Sequence, residues 1–277
     1  MKKNLEEMIQ SLLFDEDAKA FLITEDRILN SESSAIRESS FAPLVVAGEG
    51  CGLSMYAKAY SAIVDASIAQ KIRGSETFIE LGFPKNNEEE ERRFFASPRL
   101  AASIRNRFYG TMCISFDEFD GQDLIQSESL EKLIDFVEEN KANIHFIFHI
   151  LPEFSAKNKL VAALQTVVDI TEVHLEKPDA DIGYTYFMKE LCDLGYQFDD
   201  ATEEYIKDTM LPIVVSQKAY SGFKSLNLLV ERLNLETVYC QDRDDRMIDR
   251  PLVDRLLNKY EQDEYAKGEQ SRIGFRL

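Results

Sequence analysis

Eight consecutive residues carry the clearest chemical signal in the chain: Ala47-Gly48-Glu49-Gly50-Cys51-Gly52-Leu53-Ser54. They follow a short apolar run, Phe41-Ala-Pro-Leu-Val-Val-Ala, and precede a stretch of helical character. A strand, a glycine-rich turn and a helix in that order hold phosphates, because backbone N–H groups and the helix N-terminus converge on the anion. Against the pattern G-x-x-x-x-G-K-[ST], Gly52 supplies the turn glycine, Ser54 supplies a hydroxyl for magnesium, and Gly50 adds flexibility. Ala47 stands where the first glycine belongs, and Leu53 stands where the lysine belongs. A lysine there makes charge-assisted contacts to the phosphates, each contributing roughly 1.5–3 kcal/mol. Leu53 offers no donor, and Glu49 adds negative charge beside an anionic ligand. Nucleotide affinity is therefore expected to fall by roughly tens- to hundreds-fold. Taken alone, the loop reads equally well as a plain tight turn.

A second signal is Cys113-Ile-Ser-Phe-Asp117-Glu118, an apolar strand that closes on two carboxylates. In phosphate-loop enzymes the first acid orients magnesium and the second polarises water. Asp117 and Glu118 would hold those catalytic roles, with Ser54 and Asp117 as the metal pair. A metal cluster of Asp117, Glu118 and Asp120 is another use of the same residues. It lacks supporting histidines, since His145, His149 and His174 are the only three in the chain.

These residues need elements to position them. The pattern predicts strands over 41–47, 77–83, 112–116 and 143–150, and one near 173–176. Helices are expected over 54–72, 86–107 and 129–140. Residues 1–30 read as helical, with Leu5, Met8, Ile9, Leu12 and Leu13 on one face. A serine-rich link follows. Strands alternating with helices imply an α/β fold, a parallel sheet with helices on both faces. Such sheets place ligands at the carboxyl ends of their strands. After Pro178 the strands stop, and helices are expected over 182–194, 200–210 and 222–233. The division is then 1–40 as an N-terminal helical segment, 41–178 as an α/β nucleotide-binding-like domain, 179–240 as a small helical lid, and 241–277 as a charged tail. Within that tail Leu252, Leu256, Leu257 and Tyr260 recur at helical spacing, and Ile273-Gly-Phe-Arg-Leu closes the chain.

The 277 residues, 44% of them hydrophobic, suffice for a full core. A formal net charge of -18 repels nucleic acid and anionic membranes. Cys51, Cys113, Cys192 and Cys240 form no CxxC pair, which fits neither a zinc site nor a disulfide framework. Glu6, Glu7 and Asp15 interrupt any leader-like apolar stretch, and no window approaches the roughly 18–20 apolar residues of a membrane span. A cytoplasmic protein is the expectation.

The order of glycine loop, Asp117-Glu118 strand end, apolar strand to His149 and helical lid resembles the AAA+ ATPase family over about residues 41–235. Gly195-Tyr-Gln-Phe-Asp-Asp-Ala-Thr-Glu-Glu-Tyr and Gly222-Phe-Lys-Ser-Leu-Asn-Leu-Leu are most similar to the lid of the CbxX, Rubisco-activase-like branch. The resemblance implies a P-loop NTPase-like sheet with a helical lid, ATP or ADP with magnesium as ligand, nucleotide held between sheet and lid, and assembly into rings. It places Gly50, Cys51, Gly52, Leu53, Ser54, His149 and Lys224 in nucleotide binding. His149 falls where the family usually has Asn or Thr, and Lys224 where the lid has Arg. No arginine occurs between Arg107 and Arg232, and Lys157 and Lys159 lie near the place of the arginine finger. Lysine cannot mimic that bidentate fork, and the finger contributes on the order of 10³–10⁵ in rate.

The sequence thus points to a degenerate AAA+ ATPase-like protein. It would be a non-catalytic or regulatory assembly subunit with weak or absent nucleotide binding, working with protein partners or copies of itself. The alternative is a weak but genuine magnesium-dependent ATPase of remodelling type that uses Asp117 and Glu118 and borrows an arginine from a partner. A subunit of DNA clamp-loader type fits poorly with the charge.

Overall fold

The computed structural model describes residues 9–14, 16–29, 41–68, 78–83, 110–116, 128–239 and 246–270. Asp117 and Glu118, the segment 86–107 and the closing Ile273-Gly-Phe-Arg-Leu lie outside the described residues. The chain forms two compact units, one of residues 1–48 and 52–176, the other of 49–51 and 177–277.

The first unit is built on five parallel strands: β1 (Phe41–Ala47), β2 (Phe78–Gly82), β3 (Gly110–Ser115), β4 (Ile144–Ile150) and β5 (Asp169–Leu175). Their order across the sheet is β2-β3-β4-β1-β5. Every pairing is parallel, with Val45 opposite His149 and Ser115 opposite His149. The interior strand β1 is buried from Ala42 to Ala47 because both faces are covered. Alternation sends Leu44, Val46, Met112, Ile114, Phe146 and Phe148 to one face. There they pack with α3 (Glu128–Asn140) and α4 (Lys157–Leu164), through Leu133, Phe136, Val137, Leu160 and Leu164. The other face takes α2 (Leu53–Ile68), which runs along β3. Tyr56, Ala57, Tyr60, Ile63 and Val64 form its buried stripe. Helix α1 (Glu16–Leu29) packs on α2 and β5, with Phe14 edge-on to Tyr56 at a centroid distance of 6.0 Å.

Two expectations change here. The helix expected over 1–30 is interrupted. Ile9 and Gln10 are helical, Leu12 N–H donates to Ile9 O in a tight turn, and the helix restarts at Glu16. Acidic Glu16 and Asp17 suit that new N-terminus. Helix α4 had no counterpart in the sequence reading, because its eight residues offer barely two turns of periodicity.

The second unit carries α5 (Ala180–Asp193), α6 (Asp200–Tyr205), α7 (Leu211–Ser216), α8 (Gly222–Tyr239) and α9 (Arg250–Gln270). Asp179 caps α5 by accepting the Ile182 N–H at 2.8 Å, and Asp199 caps α6 by accepting the Thr202 N–H at 2.7 Å. The helix expected over 200–210 does not end there as one regular α-helix: α6 stops at Tyr205. A π turn over Ile206–Met210 leads directly into α7. It lies just ahead of Pro212, whose missing N–H would leave a gap in a continuous α ladder. A two-residue parallel pair, β6 (Gln197–Phe198) with β7 (Met247–Ile248), ties the start of α9 to the α5–α6 connection. Helix α9 packs on α8 and α6 through buried Leu252, Val253, Leu256, Leu257 and Tyr260. Among the described residues, no helix is long and apolar enough to cross a membrane.

Candidate functional site

In the first unit the carboxyl ends of β1, β3 and β4 meet at one buried imidazole. His149, on the middle strand of the three, is 5% exposed. Its Nε2 lies 3.0 Å from Ala47 O on β1, and its Nδ1 lies 3.0 Å from Ser115 Oγ on β3. A carbonyl oxygen only accepts, so Nε2 carries the proton; in the neutral ring Nδ1 then accepts from the Ser115 hydroxyl. The backbone continues the tie, since Phe116 N–H donates to His149 O at 2.8 Å and Phe83 N–H donates to Ser115 O at 2.7 Å. The one N–H donor of the neutral ring is therefore spent within the sheet. Ser115 was not singled out from sequence, and Ala47 was read only as the residue in place of the loop's first glycine; the parallel register that sets Ser115 beside His149 comes from the sheet. Ser115→Ala is expected to cost about 1–2 kcal/mol by leaving Nδ1 unpaired. Urea denaturation followed by circular dichroism measures this, and an unchanged midpoint would show the imidazole to be held without Ser115.

The chain leaves β1 at Ala47 and enters α2 at Leu53, so the glycine loop starts at these same strand ends. Gly52 has a φ of 92°, which turns the backbone into the helix at little cost for glycine. Met55 and Tyr56 N–H both donate to Gly52 O at 3.0 Å, which starts the helical ladder. The N–H groups of Leu53 and Ser54 precede those bonds and remain the open donors of the first turn. Leu53 is half-buried and Ser54 is exposed. These donors and the Ser54 hydroxyl fit a phosphate with magnesium. Among the described residues, no group of three or more His, Cys, Asp or Glu could hold a metal by itself.

Residues 49–51, the tip of the loop, belong to the second unit. Gly50 has a φ of 79°, and its carbonyl accepts the Phe223 N–H at 2.9 Å. Cys51 is buried. Lys224, on the first turn of α8, donates to Glu49 Oε1 at 2.5 Å. Glu49 is held below the ordinary carboxylate range, first by that hydrogen bond and the Lys224 charge, with Lys177 and the Ser221 hydroxyl adding to it. Lys177 in turn donates to Tyr220 O at 2.8 Å, and Tyr220 donates its hydroxyl to Pro178 O at 2.8 Å. Elsewhere, Lys157 on α4 pairs with Glu172 at 2.9 Å, and Lys159 is exposed on the same helix.

A parallel sheet of this strand order, a glycine loop leading from its interior strand β1 into a helix, and a separate helical unit make an AAA+ ATPase-like fold. No protein-family model and no curated protein sequence matches the chain. Solved structures do. Domain III of the Thermotoga maritima replication initiation protein DnaA aligns with a TM-score of 0.56 at 12% identity, covering 91% of this chain and 95% of that one. PCH-2 of C. elegans aligns with a TM-score of 0.53 at 11% identity, covering 95% and 73%. The ADP form of the Aeropyrum pernix ORC2 protein aligns with a TM-score of 0.52 at 14% identity, covering 89% and 71%. All three are AAA+ ATPases, and at these identities the likeness is one of fold.

Proposed function

We propose that this chain is a degenerate AAA+ ATPase-like protein, a non-catalytic or regulatory subunit of a protein assembly with weak or absent nucleotide binding. The observation that carries this reading is Leu53. It stands on the first turn of α2, beside the open backbone donors, where a lysine would meet the phosphates. The committed His149 donor and the paired Lys224 support it, since neither is free for a ligand as it stands. The partners are protein chains or further copies of this one. The net charge of -18 argues against nucleic acid and anionic membrane.

A second reading rests on Ser54, which is exposed at the first turn. With Asp117 and Glu118 it would keep the magnesium chemistry of a slow ATPase completed by a partner's arginine. Calorimetry with magnesium and ATP, paired with phosphate release, separates the two. The first reading expects a millimolar dissociation constant or no heat, and no turnover by the isolated chain. Leu53→Lys is expected to tighten ATP binding about tenfold, the size of one charge-assisted contact. Brisk turnover by the wild type would sink the first reading, and no gain in Leu53→Lys would remove the loop as a phosphate site.

A further inference from the structure

We propose that α1 is a proton-latched cover: it lies closed on α2 while Glu25 is protonated and parts from α2 once Glu25 ionises, with the rest of the first unit still folded. The inference stands apart from the nucleotide reading, since it uses no residue of the glycine loop. Of the three buried positions on α1, Ala18, Leu22 and Glu25, only Leu22 is large and apolar. Little apolar surface therefore holds the helix down. Glu25 faces Tyr56 and Tyr60 of α2, both wholly buried, and neither phenol hydroxyl has a hydrogen-bond partner. Thr111 on β3 carries another buried hydroxyl without a partner. Alternation turns it away from Met112, onto the side of the sheet that α2 covers. Unpaired buried hydroxyls weaken that layer. The opposite face has Leu44, Met112, Ile114, Phe146 and Phe148 packed as one apolar core, which remains when α1 parts.

The charged and titratable groups around the latch leave Glu25 without compensation. On α2 the facing groups are the two phenols, which burial keeps protonated. On β5, the other element packed against α1, Asp169, Glu172 and His174 are all exposed. Glu172 is engaged by Lys157 at 2.9 Å and His174 at 3.4 Å. Within α1, Lys19 pairs with Glu16 at 3.2 Å, and Asp17, Asp26 and Arg27 lie off the buried stripe. Burial alone pushes the Glu25 carboxyl up from 4.5 to about 7. Parting α1 from α2 lets water reach the carboxylate, so the parted state is the one that ionises readily. Closing then takes up a proton between pH 4.5 and about 7, and the closed state loses ground as pH rises through that window.

Hydrogen exchange of the full chain, followed by mass spectrometry and corrected for the intrinsic pH dependence of amide exchange, reads the opening of α1 against that of β1 and β4. In the wild type the α1 opening constant is expected to rise about a hundredfold from pH 4 to pH 7. It should exceed the opening constants of β1 and β4 at pH 7. Glu25→Gln and Glu25→Leu should both flatten the rise, the second with no polar group left at that position. A rise that persists in both variants would overturn the latch, and so would a wild-type α1 whose opening ignores pH. Equal opening constants for α1, β1 and β4 at every pH would overturn it too, because Glu25 would then act only through unfolding of the whole unit.

Discussion

Replacing Glu25 with glutamine is expected to raise stability by roughly 3 kcal/mol at pH 8 and to change it little at pH 4. Glu25 is 3% exposed and faces Tyr56 and Tyr60, both fully buried, between α1 and α2. Burial pushes its carboxyl up from 4.5 to about 7. The phenols of Tyr56 and Tyr60 are also pushed up, first by burial, so they stay protonated, and their hydroxyls have no hydrogen-bond partner. Between pH 4.5 and about 7 the folded chain binds a proton at Glu25 that the unfolded chain has released. Stability therefore falls as pH rises through that window, and above it the full cost of a buried charge remains. Carboxylates such as Glu49, Glu172 and Asp199, held low by hydrogen bonds, act in the opposite sense. They stabilise above the unfolded value and lose that contribution as pH falls.

The measurement is accordingly a difference. Urea denaturation of wild type and Glu25→Gln at pH 4, 6 and 8 cancels the common carboxylates and leaves the Glu25 contribution. The gap should open between pH 4.5 and 7. Parallel pH profiles for the two proteins would show that Glu25 is solvated in the folded state.

Glu25 also marks where sequence reasoning stopped. Ala18, Leu22 and Glu25 occupy i, i+4 and i+7, and all three are buried. A glutamate on that stripe is a legible signal of a buried acid, but only once the helix is known to start at Glu16. The strands around the candidate site were readable because short apolar runs rich in β-branched and aromatic residues, such as Leu44-Val45-Val46 and Ile144 to Ile150, have no competing helical period. Helix α2 was readable because its buried positions repeat every three or four residues. What joined these elements was not readable. The Ser115–His149–Ala47 tie depends on strand order across the sheet. The Glu49–Lys224 pair closes over 175 residues and depends on a backbone approach that no local pattern encodes. Glu49 was read as a charge set against the ligand, and Lys224 as the residue where the lid of the resembled family has its arginine. In the structure each is the other's partner.

That backbone approach makes Gly50→Ala the second large effect. Two penalties combine. A left-handed φ of 79° costs a residue with a Cβ roughly 1–2 kcal/mol. The new methyl would also sit 1.9 Å from Ser221 O, a main-chain atom that cannot swing aside as a side chain would. Relief requires the loop tip to leave α8, which breaks the bond from Phe223 N–H to Gly50 O and forfeits about another 1 kcal/mol. A total near 2–3 kcal/mol is expected, with the Glu49–Lys224 pair lost alongside. Gly82→Ala is the matched control, because a Cβ there meets nothing within 4 Å. Amide exchange distinguishes local release from general loosening: the Phe223 amide should lose protection in Gly50→Ala while amides of the first unit keep theirs. If Gly50→Ala melted with Gly82→Ala and kept the Phe223 amide protected, the main-chain apposition would not hold in solution. The meeting of Glu49 and Lys224 would then have no structural basis.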